Sequence, residues 1–132
     1  MINPRPIALV VCESIYVDPS KKTALVGIFN TVRSHKFPCV HPNLCVYAAV
    51  TDVHAGTSIK VKIVHSETDE QVAEAKLDFP PQVNPGTICD MHFFIKNVRF
   101  KEPGRHYIEL WSEELLLQRP FEVVLVQPGE KP

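Results

Sequence analysis

The run PGRHYIELWSEELLLQRPFEVVLV, residues 103–126, decides how the whole chain is read. Pro103-Gly104 opens it as a turn. Residues 107–111 read as a strand, Ser112-Glu113-Glu114 as a tight reversal and residues 115–118 as the return. Arg119-Pro120 interrupts the run, and residues 121–126 give a last strand with Phe121, Val123 and Leu125 on one face and Glu122 on the other. Alternating runs punctuated by Pro and Gly mark antiparallel β structure. Successive side chains of a strand point to opposite faces, so each such strand has one apolar side to cover. The rest of the chain is expected to supply the covering layer.

Working outward, the strongest alternation is at residues 58–66, with Ile59, Val61 and Ile63 inward and Lys60 and Lys62 outward. Residues 71–79 repeat it with Ala73, Ala75, Leu77 and Phe79, and residues 87–96 with Cys89, Met91, Phe93 and Ile95. Their strict period of two outweighs the helical propensity of Ala, Glu and Lys at 71–79. Residues 43–53 form a further strand whose better core face is Leu44, Val46, Ala48 and Val50. At the start, residues 7–17 and 23–30 form a hairpin around Asp18-Pro19, and Gly27 marks a bulge or close backbone approach. Residues 31–42 read as a connection with a short edge segment near Lys36-Phe37, and residues 80–86 as a loop rich in proline. Eight or nine short strands at this spacing predict an all-β antiparallel sandwich or barrel. The expected organisation is an extended tail at 1–6, a single domain at 7–126 and a flexible tail at 127–132.

Composition narrows the function classes. Charged residues make up 22% and hydrophobic residues 45% of 132 residues, the balance of a folded domain with its own core. Twelve prolines argue against long helices. A net charge of −1 without a basic block argues against a nucleic-acid partner, whose binding rests on phosphate neutralisation. The apolar run at 7–12 is too short for a signal sequence, and no run approaches the ~20 residues of a membrane span. A cytoplasmic protein with no membrane partner is the expectation. Cys12, Cys39, Cys45 and Cys89 then read as free thiols.

Chemistry-bearing clusters are sparse. Cys39, His41 and Cys45, with His35 upstream, are the candidate metal ligands, since thiolate and imidazole suit zinc. They lack the close pairing of a C-x-x-C site, and no H-x-H or H-E-x-x-H pattern occurs. No nucleophile elbow or phosphate loop accompanies Ser14 or Ser112, so no cofactor and no catalytic residue is assigned. Trp111 and Leu115, Leu116 and Leu117 are the candidate interface, because they offer more apolar surface than one side of a small domain readily covers. The expected function is a non-catalytic binding or assembly module with a protein partner or a second copy of itself, most simply a homodimer. The alternative is an enzyme or metalloprotein using loop His and Cys residues.

Two resemblances bear on this reading. Pro103-Gly104-Arg105-His106-Tyr107 resembles the turn-then-tyrosine entry to a late strand of immunoglobulin-like domains, which implies a phenol that pins the corner. Glu109 stands where an antibody domain has its second cysteine, so only the architecture carries over. The chain also resembles a family of small uncharacterised bacterial proteins. The residues that carry this are Ile7-Ala8-Leu9-Val10, residues 25–30 (LVGIFN), Phe37-Pro38 with His41-Pro42, Pro103-Gly104 with Tyr107, and Arg119-Pro120-Phe121 with Val123. That resemblance implies a cytoplasmic β-sandwich and no particular reaction; the first resemblance implies that the sandwich is immunoglobulin-like.

Overall fold

The computed structural model describes residues 3–80 and 84–132. Part of the proline-rich loop expected at 80–86, residues 81–83, lies outside the described residues, as do residues 1 and 2 of the expected N-terminal tail. Nine strands form: β1 (Arg5–Val17), β2 (Thr23–Ile28), β3 (Thr31–Ser34), β4 (Cys39–Thr51), β5 (Ser58–His65), β6 (Gln71–Asp78), β7 (Cys89–Phe100), β8 (Gly104–Trp111) and β9 (Leu115–Leu125). No helix occurs among the described residues, and therefore none long and apolar enough to cross a membrane.

Two sheets share the strands, in the orders β2-β1-β4-β7 and β3-β9-β8-β5-β6. The second curls as a half-barrel. The inward residues expected from alternation face one another across a common core. Leu44, Val46, Ala48 and Val50 of β4 and Met91, Phe93 and Ile95 of β7 come from the first sheet. Ile59, Val61 and Ile63 of β5, Ile108 and Leu110 of β8, and Phe121 and Val123 of β9 come from the second. Phe100 of β7 stacks on Phe121 of β9, with ring centroids 6.2 Å apart, and ties the layers together.

Several expectations are corrected. The pairing is antiparallel except between β3 and β9, which run parallel with Thr31 opposite Glu122 and Ser34 opposite Leu125. The edge strand of the 31–42 segment is thus Thr31–Ser34, not the Lys36-Phe37 region. Arg119-Pro120 does not break the last strand, because β9 is continuous from Leu115 to Leu125. The amide of Glu122 donates to the Asn30 carbonyl on the β3 side. Backbone groups alternate sides along a strand, so the Pro120 nitrogen also faces that open side, where no ladder bond is lost. Leu125 is exposed, and Val126 is the buried residue at that end.

The tyrosine corner is also corrected. Tyr107 alternates with the buried His106, Ile108 and Leu110, so its ring lies on the outer face beside Arg105. His106 takes the interior place at the corner, donating its Nδ1 proton to the Gly104 carbonyl at 3.0 Å. The expectation at Gly27 holds. Its φ is +71°, and a Cβ there would lie 2.8 Å from Glu13 Cγ, so only glycine lets the hairpin close.

Candidate functional site

The two outer faces differ in character, and strand register explains how. On the second sheet, outward positions carry Lys60 and Lys62 of β5, Glu74 and Lys76 of β6, and Arg105 and Glu109 of β8. Ion pairs cross it, including Arg105 to Glu122 at 2.6 Å and Lys60 to Glu74 at 3.8 Å. This is the solvated face an antiparallel sheet is expected to have. The first sheet is different. Ile28, Cys12, Cys45 and Phe94 are successive cross-strand neighbours and form one apolar row over all four strands. Val10, Tyr47 and His92 form the next row, and Ala8, Ala49 and Asp90 the one after.

Ile28 is 67% exposed and Phe94 54% exposed at the two ends of the first row, while Cys12 and Cys45 between them are fully covered. Their thiols donate to the carbonyls of Ser14 and Glu13, at 3.4 and 3.3 Å. Burial pushes both thiols up, which keeps them neutral and apolar in behaviour. Tyr47 donates to the Asp90 carboxylate at 2.9 Å. Burial and then that carboxylate push the phenol up as well. Asp90 and Lys96, both on β7, lie at the border of the face, and Arg5 of β1, opposite Thr51, borders it at another edge.

The expected interface at the β8–β9 hairpin is smaller than its sequence implied. Leu116 and Leu117 pack against the core, and Leu115, 41% exposed, is the leucine left at the surface. Trp111 faces outward from the second sheet, but its indole donates to Glu109 at 2.9 Å and the Lys62 ammonium lies 4.8 Å from its ring centre. Cys39, His41 and Cys45 are strand residues of β4, not loop residues, and are not brought together. At ~3.3 Å per residue the two cysteines are roughly 20 Å apart along the strand. Among the described residues no group of three or more His, Cys, Asp or Glu side chains is arranged to hold a metal.

Concavities lie at the seams between the sheets. Where β6 meets β7, a pocket of about 270 Å³ is lined by His65, Val72, Arg99, Lys101, Glu102 and His106, among others. His65 and His106 are direct cross-strand partners and both point inward. The Glu67 amide donates to His65 Nδ1 at 3.3 Å, so the proton of the neutral ring sits on Nε2, 3.5 Å from Glu102 Oε1. Alternation carried this pair: His65 continues Ile59, Val61 and Ile63, and His106 precedes Ile108 and Leu110. Where β1 meets β9, a cleft of about 570 Å³ is lined by Val11, Phe29, Ile108 and Phe121, with the exposed Ile28 at its rim. Arg119 spans it, donating from Nη1 to the Leu9 carbonyl at 2.9 Å.

No curated protein matches the chain. Residues 7–124 match the profile of a family of unknown function, DUF6941, and these residues contain every strand of the two sheets except the first two residues of β1 and the last of β9. The chain therefore belongs to that family of unknown function (DUF6941).

Proposed function

We propose that the protein is a non-catalytic assembly module whose outer β2-β1-β4-β7 face docks on the same face of a second copy. The observation that carries this is the contrast between the two outer faces. A sandwich normally alternates apolar-in and polar-out on both sheets. Here the first sheet has apolar residues on both sides of β1 and β4, with Ile28 and Phe94 open to water. Exposed apolar side chains at both ends of an apolar row, on a face expected to be polar, are what an interaction site would present.

A second copy is the occupant the face suits best. Face-to-face packing about a two-fold axis lying across the strands, between the rows of Phe94 and His92, sets each β7 antiparallel to its counterpart. Asp90 of each copy then meets Lys96 of the other, and the Cys45–Phe94 row stacks on the Tyr47–His92 row. Such an isologous contact is the commonest closed assembly. The architecture supporting it is an immunoglobulin-like sandwich. The β9-β8-β5 and β1-β4-β7 orders parallel the central strands of that fold, without its disulfide and without its tyrosine corner. Four free cysteines suit a reducing, cytoplasmic setting. The mixed charges of the other face suit neither nucleic acid nor an anionic membrane. Small-angle scattering tests the reading: forward intensity should correspond to twice the monomer mass at micromolar concentration. Monomer mass throughout the accessible range would refute self-assembly.

A further inference from the structure

The geometry points to a binding site for a small amphipathic carboxylic acid in the cleft between β1 and β9. Three features define it. The lining is largely apolar: Val11, Phe29, Ile108 and Phe121, with the exposed Ile28 at the rim. Its volume of about 570 Å³ lies within the roughly 300–1,000 Å³ of small-molecule sites. The third feature is charge. Arg119 is the cation lining the cleft, and no acidic residue lines it among the described residues.

Arg119 is exposed at the mouth of the cleft and tied to its wall. Ile108 is its cross-strand partner, so the guanidinium starts on the inner face of β9, at a position otherwise used for core residues such as Phe121. One Nη1 proton is given to the Leu9 carbonyl, which fixes the group across the seam. A guanidinium has five N–H donors, so four remain. Arg119 forms no ion pair among the described residues, in contrast to Arg105 and Arg33, which meet Glu122 and Glu130. Arg–carboxylate pairing is bidentate and charge-assisted, which selects a carboxylate over a neutral head of the same size. Asn30 and Thr31, also in the lining, offer neutral polar groups beside it. The acid's tail would lie along Phe29 and Phe121, whose rings meet edge to face with centroids 5.8 Å apart.

Isothermal titration calorimetry with octanoate, octan-1-ol and acetate tests the proposal on the unmodified protein. Octanoate is expected to bind saturably, at least about tenfold tighter than octan-1-ol, which lacks the charge, and than acetate, which lacks the tail. Arg119→Gln, checked for native circular dichroism, is expected to weaken octanoate by a similar factor and leave octan-1-ol unchanged. Arg119→Lys keeps the charge but not the fork, and should fall between the two. The proposal is overturned if octanoate gives no saturable heat at millimolar concentration, or if octan-1-ol binds as well as octanoate. It is equally overturned if a folded Arg119→Gln protein binds octanoate like the wild type.

Discussion

The imidazoles of His65 and His106 meet edge to face with ring centroids 4.7 Å apart, on adjacent strands at the end of the core. Phe100 closes the other side of His106 at 5.2 Å. Burial pushes His106 below the ordinary histidine range, and the neighbouring His65 adds to that; the Gly104 carbonyl and the carboxylates of Glu102 and Glu122 oppose it. A group whose folded pKa is depressed favours the native state while neutral. Its contribution is whole above the unfolded value, about 6.5, and is lost as pH falls from there through the lower folded value. Urea midpoints should therefore drop between pH 7.5 and pH 5. In His106→Phe that part of the drop should disappear. An unchanged pH dependence in the variant would mean that His106 is not the titrating group.

Gly104 backs the same pair. Its φ is +132°, and an added Cβ would stand 3.1 Å from His65 Nε2. Gly104→Ala should destabilise by about 1–3 kcal/mol through backbone strain and pressure on the imidazole. Gly86 has no positive φ and would make only ordinary contact, at 3.6 Å from Asn84 Oδ1. Gly86→Ala should stay within about 0.5 kcal/mol. Urea melts of the two variants provide the comparison.

Phe100 and Phe121 stack across the layers, both essentially without solvent exposure. Phe100→Ala should cost about 3–5 kcal/mol, since removal leaves a cavity between two sheets that cannot both relax into it. A change below 1 kcal/mol would show that the layers are not held together at this point.

Much of this arrangement was legible in the alternation. Ile59-Val61-Ile63 and Leu44-Val46-Ala48-Val50 face the core as their spacing implied. The apolar outer face was not legible, for a physical reason. Cys45, Tyr47 and Ala49 are unremarkable along β4, and become a patch only because β1 and β7 flank that strand and align Cys12 and Phe94 with Cys45. Neighbours in space that are distant in sequence leave no periodic signal. Parallel pairing of β3 with β9 was hidden likewise, since four residues of strand with no hairpin partner look like a loop. The triple leucine divides in a way alternation alone does not show: Leu116 and Leu117 are half-buried against the core while Leu115 is exposed, at the bulge that sets Trp111 opposite Leu115.

That bulge separates two possible interfaces. Leu116→Lys should destabilise the fold itself, by about 2 kcal/mol or more, because it forces a charge against the core. Leu115→Lys should leave both stability and association unchanged. Association lost on Leu115→Lys in a stably folded protein would return the interface to the β8–β9 hairpin.

Sedimentation velocity on the wild type and Phe94→Lys, at the same micromolar concentrations, tests the central claim most directly. Phe94 is exposed on the outer face, so its replacement should change monomer stability by no more than about 0.5 kcal/mol. The account predicts a wild-type dimer and a folded Phe94→Lys monomer, since a lone lysine ammonium would be buried in the paired faces. A wild type that sediments as a monomer at high micromolar concentration, or a Phe94→Lys protein that dimerises as tightly as the wild type, would contradict it.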